Sequence, residues 1–351
     1  MLRWTKPMSK DGIGDGWDPS IPYQLLPVGR KRFMMLETAN LPVQMEVSQS
    51  VSCGLSNFHV IRPFGKVIPG LPTTSSTVKS VTIPENVEVQ FDLTAGAAPS
   101  HGFLRVHQLF NGIKSRSPEL EMILSVKFRT SRNFLACFVF DRVNPDRGAR
   151  PPVDSAIEAA NRIFHEQANI LCLKNGQAVT VTLQGAIGTT FDAADRALVK
   201  RLLQRTQAEH GTDVFENHTA VIYMMPVPVL GSLEDDGVTR TRPLALAAPY
   251  RMDGQPCDTI LVAPLDQKTT QQLDHILSHE IGHVLGLEHL PEREKDVFPQ
   301  GMPLAQRQAK AEEPFLHNLM FPTNLLLSNR LNGSQIERAN IGRPNRPRIT
   351  V

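Results

Sequence analysis

Between Phe33 and Val143, apolar and β-branched residues fall into short runs: Val43–Val51, Phe58–Ile61, Val78–Ile83, Val87–Leu93, Phe103–Phe110, Leu120–Phe128 and Phe134–Phe140. Turn formers such as Pro69-Gly70 and the stretch Ala95–Pro99 separate them. Short strands at this spacing predict a β-sandwich over residues 33–143. The last run is also placed to open the following domain. Ahead of these runs, Asp11-Gly-Ile-Gly-Asp-Gly16 with Pro19, Pro22 and Pro27 cannot sustain a helix and would weaken a strand. An irregular arm is therefore expected over 1–32.

The pattern changes after Asn144. Residues 144–152 carry three prolines and a glycine and read as a linker, after which Ser155-Ala-Ile-Glu158 forms a capping box that opens a helix. Ile157, Ala160, Phe164 and Ala168 then recur at helical spacing. Strand-like runs follow at Ile170–Leu173, Val179–Leu183, Ala220–Met225, Leu244–Ala248 and Thr259–Val262, with a second helix expected from Ala193 to Gln207 after Asp192. Strands mixed with helices predict a second domain over 153–351, an α/β or α+β layer behind an all-β one, and α+β is the class expected for the chain.

Composition adds exclusions. The chain has 351 residues, enough for about two domains, and a formal net charge of +2, which supplies no global field for a nucleic-acid backbone or an anionic membrane. No apolar run approaches the roughly 18 residues of a membrane span, and the first residues lack a secretory apolar core. A soluble protein is expected, with neither nucleic acid nor membrane as partner, exported by a leaderless route or otherwise cytoplasmic. Cys53, Cys137, Cys172 and Cys257 lie far apart with no C-x-x-C pair, which excludes a thiolate zinc knuckle and a dithiol redox motif. Free or buried thiols are expected, with one or two disulfides open to an oxidising compartment.

Chemistry concentrates in His279-Glu280-Ile-Gly-His283-Val-Leu-Gly286-Leu-Glu-His289. His279 and His283 are four residues apart, so on a helix both imidazoles leave one face and can reach one metal ion. Leu273, Ile276, Leu277, Ile281 and Val284 cluster on another side and anchor that helix to a core. Gly286 is suited to the left-handed stop that turns the chain back, bringing His289 to the same ion. Three neutral imidazoles leave a tetrahedral zinc one open position for water, the mark of a catalytic site. Glu280, next to the first ligand, is placed to take the water's proton and pass it to a leaving amine. The five fixed positions would coincide by chance in roughly one such chain in 30,000. His275 continues the histidine stripe but lies about 12 Å of helical rise from His283, too far to share one ion.

These residues resemble the extended motif of the metzincin zinc endopeptidases at every fixed position. His317-Asn-Leu-Met320-Phe-Pro322 is similar to the family's methionine turn in matrixin-like members. The resemblance implies that Met320 is an apolar floor beneath the metal and no ligand. It also implies a metzincin-like catalytic domain with a twisted mixed sheet, an active-site helix and a C-terminal subdomain. Leu244, Ala245, Leu246, Ala247 and Ala248 would then be the edge strand that pairs with an extended peptide. The expected activity is zinc-dependent hydrolysis of a protein or peptide substrate, with the N-terminal domain binding a targeting partner or restraining the site. Two alternatives stand beside it: a signal-less bacterial effector acting on a target-cell protein or peptidoglycan peptide, and a non-catalytic binding or adhesion protein with a structural zinc. Cys53-Gly54 invites comparison with a latency cysteine, but its neighbours do not match that motif, and an ordinary core or loop cysteine is the preferred reading.

Overall fold

The computed structural model describes residues 2–4, 23–64, 67–68, 71, 77–141, 153–183, 190–226, 229–233, 240–241, 244–263, 270–289, 318–320, 331, 333–341 and 348–351. The linker at 144–152 and residues 5–22 of the expected arm lie outside these. Two compact units divide the chain. One comprises Met1–Thr130 with Glu166–Asn169 and Arg330–Glu337, and the other comprises Ser131–His165, Ile170–Asn329 and Arg338–Val351.

The first unit is built from β1 (Arg3–Trp4), β2 (Tyr23–Pro27), β3 (Lys31–Glu37), β4 (Val43–Val47), β5 (Cys53–Arg62), β6 (Ser80–Ile83), β7 (Glu88–Ala95), β8 (Ser100–Phe110), β9 (Ile113–Lys114) and β10 (Leu120–Lys127). One sheet runs in the order β1-β3-β7-β5 and the other β2-β10-β8-β4-β6, with β9 pairing β8. Alternation explains the pairing. Val43, Met45 and Val47 of β4 point inward while Gln44 and Glu46 do not, and the inward residues of both sheets merge into one core with Met34, Leu55, Phe91 and Leu124. Phe58 stacks on Phe91 with ring centroids 5.4 Å apart. The arm departs from the irregular structure expected over 1–32: Tyr23–Pro27 is a strand parallel to β10, with Leu25 and Leu26 buried. Pro27 sits at its last position, where a missing N–H is tolerated. Burial of the Tyr23–Leu26 segment outweighed the local proline signal.

The second unit contains β11 (Thr130–Asp141), α1 (Val153–Ala168), β12 (Ile170–Lys174), β13 (Val179–Leu183), β14 (Thr190–Asp192), α2 (Arg196–His210), α3 (Val214–Asn217), β15 (Ala220–Met224), β16 (Val229–Leu233), β17 (Arg240–Thr241), β18 (Ala245–Met252), β19 (Gln255–Val262), α4 (Thr270–Val284) and β20 (Ile349–Thr350), with Thr130 and Glu166–Ala168 falling to the first unit, which also takes most of α5 (Gly333–Ala339). Its main sheet runs β12-β11-β15-β19-β18-β20, with β13 also on β11. The pairs β11/β13, β11/β15 and β15/β19 are parallel, and β18 runs antiparallel to β19. Val221, Ile222 and Tyr223 of β15 are all fully buried, as a central strand covered on both faces requires. Val199, Leu202 and Leu203 of α2 pack into the core with Cys137, Val181 and Leu261. Among the described residues, no helix is long and apolar enough to cross a membrane.

The expected α+β class with a metzincin-like catalytic domain is overturned. Strands hold 48% of the described residues and helices 23%, so the chain is mostly β. The resemblance rested on two short motifs, which dictate one helix and one turn and leave the strand content of the remaining residues undetermined. Two helix starts also move. Asp195, three residues beyond the expected Asp192, caps α2 by accepting from the N–H groups of Ala197 and Leu198 at 3.0 and 3.1 Å. Asp192 instead accepts from Ala194 N–H in the preceding turn. The helix expected at the Ser155 capping box begins at Val153, and the Ser155 hydroxyl donates to Asp274 of α4 at 3.1 Å.

Candidate metal centre

The candidate site is carried by α4 and the turn that ends it. Leu273, Ile276, Leu277, Ile281 and Val284 are all buried, so the apolar stripe holds the helix against the unit's interior. The helix stops in a six-residue Schellman arrangement: Leu287 N–H donates to Gly282 C=O and Gly286 N–H to His283 C=O, both at 2.9 Å. Gly286 takes φ +88, the left-handed conformation that a side chain would strain. That reversal has two effects. It returns the chain so that His289 stands beside the helix, and it brings the Leu287 carbonyl under His283.

The three imidazoles converge. His289 Nε2 lies 3.1 Å from His279 Nε2 and 3.1 Å from His283 Nε2. A tetrahedral zinc with Zn–N bonds of about 2.0–2.1 Å sets its ligand nitrogens about 3.3 Å apart, so the spacing fits the ion. The far nitrogens settle the tautomers. His279 Nδ1 is 2.8 Å from the Leu319 carbonyl, and His283 Nδ1 is 2.8 Å from the Leu287 carbonyl. A carbonyl only accepts, so both Nδ1 atoms carry the proton and both Nε2 atoms present lone pairs to the shared point. A proton on His289 Nε2 could satisfy one of these contacts and not both, whereas one cation satisfies all three. Burial lowers the His279 imidazole to about 4, reinforced by His289 and His275 and opposed by the Leu319 bond. Burial also lowers His289. Both shifts favour the neutral ring that a metal needs.

Met320 lies beneath this helix turn. It is fully buried, and its Sδ stands 2.5 Å from where a Cβ on Gly282 would be. Gly282 therefore lets the Asn318–Met320 segment approach the helix closely enough for Leu319 to hold His279. Asn318 Oδ1 accepts from Met320 N–H at 2.9 Å and tightens the turn. Gly282→Ala is expected to destabilise the protein despite the roughly 1 kcal/mol that alanine contributes to helix propensity. Overpacking against a buried methionine costs about 1–3 kcal/mol. Displacing Leu319 should also loosen His279 and so weaken the hold of the three imidazoles on any divalent metal they bind. Denaturation and metal titration check both effects, and an unchanged metal affinity in the variant would show that Gly282 does not act on the histidine cluster.

Glu280 is 8% exposed and sits opposite β18, where its Oε2 accepts from Ala247 N–H at 2.6 Å. Burial raises its carboxyl to about 7, with the Ala247 bond pulling the other way. Of the expected substrate strand, Ala245 to Ala248 lie in β18, while Leu244 precedes it and is about half exposed. The strand runs on to Met252, and β20 pairs with its far end at Tyr250 and Arg251. His275 is not part of the converging trio, and burial lowers its imidazole. Cys53 is buried in the sandwich core, where burial pushes its thiol to about 12, so it is no ready thiolate ligand. All four cysteines are buried, and no disulfide joins them.

Sequence reasoning missed Gly282, the carbonyls of Leu287 and Leu319, and the Ala247–Glu280 bond. Only Gly282 left a signal, as a glycine inside an otherwise strong helix, which marks a close approach.

No protein-family model and no curated protein sequence matches the chain. Solved structures similar to it include WR4, a C. elegans MSP family member, at 8% identity over 30% of this chain and 91% of that one, with a TM-score of 0.18. The class 5 fimbriae chaperone CfaA matches at 11% identity over 36% of this chain and 55% of its own, with a TM-score of 0.17. The PapD-like domain 7 of human CEP192 matches at 12% identity over 36% and 93%, also at 0.17.

Proposed function

We propose that the protein is a zinc-dependent endopeptidase in which His279, His283 and His289 hold the ion and Glu280 is the general base. The observation that supports it is the convergence of Nε2 atoms at 3.1 Å, two of them with tautomers fixed by main-chain carbonyls. An all-imidazole donor set suits zinc, and three protein ligands leave a position for water. A zinc ion held there would supply a Lewis acid that acidifies water and polarises a carbonyl. Glu280 accepts the water's proton and returns it to the leaving amine. Its burial, which raises the carboxyl toward neutrality, suits it to both halves of that transfer. The protein or peptide substrate would lie along the outer edge of β18, and the sandwich would recruit a targeting partner or restrain cleavage.

The test is metal analysis of purified protein joined to mass-spectrometric mapping of cut sites in a peptide library. About one zinc per chain and endoproteolytic cuts abolished by chelation are expected. Stoichiometric zinc without any cleavage would leave the structural-site reading standing instead.

A further inference from the structure

Pairing geometry decides which main-chain groups of β18 are turned outward. Ala263 N–H donates to Leu244 C=O, and the antiparallel register continues from Ala245 opposite Val262 to Met252 opposite Gln255. Leu244, Leu246 and Ala248 therefore exchange hydrogen bonds with β19, while Ala245, Ala247, Pro249 and Arg251 turn their main-chain groups away from it. Two observations agree with this phase. Pro249, which has no N–H to give β19, occupies an outward position, and the outward Arg251 carbonyl accepts from Val351 N–H at 3.0 Å. Ala247 N–H, on the same outward row, is spent on Glu280 Oε2 at 2.6 Å.

We propose that the Ala247 main-chain N–H is the positioning group for Glu280: it fixes one carboxylate oxygen on the strand edge and leaves the other to take a proton. The catalytic role of that proton transfer rests on the peptidase reading; the anchoring itself does not. A short, charge-assisted bond holds a carboxylate more firmly than a neutral one would. The acidic side chain stands on α4, which packs on β18, so strand and helix together orient it. An edge strand otherwise presents such N–H groups to any incoming strand. Here the base occupies the Ala247 donor and β20 pairs with the strand from Tyr250 onward, so a peptide aligned along the remaining edge meets the Ala245 and Ala247 carbonyls without the Ala247 N–H. The structure thus makes that stretch an acceptor surface, suited to a substrate that offers its own N–H groups.

Amide hydrogen exchange on the full chain tests the anchoring without reference to activity. Ala247 N–H is expected to exchange at least about tenfold faster in Glu280→Ala than in wild type, with its β19-facing neighbours Leu246 and Ala248 unchanged. Equal rates at Ala247 in the two proteins would overturn the proposal. Ala247→Pro then removes the N–H at an outward position, as Pro249 already does two residues on. Metal content and KM are expected to hold while kcat falls about tenfold or more; Ala247→Gly, which keeps the N–H, should restore most of kcat. An unchanged kcat in Ala247→Pro would sink the positioning role. If no cleavage is seen in any form, the peptidase reading fails, and the exchange rates still decide whether Ala247 anchors the carboxylate.

Discussion

Replacing Glu280 by alanine is expected, on the proposed peptidase reading, to leave the metal content of the protein unchanged and to lower kcat about a thousandfold. General-base catalysis typically contributes 10²–10⁴-fold, and no other acid joins the three histidines among the described residues. Metal retention follows because the His279 and His283 rings are held through their Nδ1 atoms by the Leu319 and Leu287 carbonyls and not by Glu280. Stability should change little. The substitution removes a buried carboxylate that is costly to ionise, and it also strands one N–H at a strand edge within reach of solvent. Turnover and metal content measured on the same preparation separate the two effects. Wild-type kcat in the variant would refute the assignment of the base, whereas loss of zinc would mean that the carboxylate belongs to the metal's own support.

Acidification of the zinc-free protein should destabilise Glu280→Gln by about 3 kcal/mol more than wild type between pH 7 and pH 4.5. The sign follows from two opposed groups. His279 titrates near 4 in the fold against 6.5 when free, so its contribution is complete above about pH 6.5. It is lost as pH falls toward 4, because the unfolded chain takes a proton that the folded one refuses. His289 and His275 shift in the same direction through burial. Glu280 acts in reverse. Its folded value near 7 lies above 4.5, so its contribution is complete below about pH 4.5 and is lost as pH rises through about 7. In wild type the carboxyl therefore offsets much of the histidines' acid penalty, and in the glutamine variant nothing does. A shift of about 2.5 pH units corresponds to about 3 kcal/mol. Urea denaturation at the two pH values checks this, and a difference under about 1 kcal/mol would show that Glu280 is not confined as described.

Much of the candidate site was legible because its parts are local. His279 and His283 share a helix face through the 3.6-residue period, and a glycine at position 286 relieves the left-handed turn that returns the chain to His289. The strand runs of the first unit were legible for the same reason, since alternation such as Val43, Met45 and Val47 reports a face directly. Reading failed where partners far apart in the chain decided the outcome. Asp192 is the expected start of α2, yet it accepts from Ala194 N–H in the preceding turn and Asp195 caps the helix. Tyr23–Pro27 has the prolines of an arm nearby but pairs with β10, about a hundred residues later. The class of the fold was misjudged because a short motif carries no information on how many strands surround it.

By itself, the order of residues determined the three imidazoles, the neighbouring acid, the helix period and the glycine stop, all of which follow from dihedral preferences within a few turns. Only the tertiary structure decided that Leu319 and Leu287 orient two of the rings, that Gly282 admits Met320, and that Ala247 holds Glu280. Those contacts join residues up to 40 positions apart, and all but the packing of Met320 on Gly282 run through main-chain carbonyls and N–H groups that every residue possesses, so no side-chain pattern announces them.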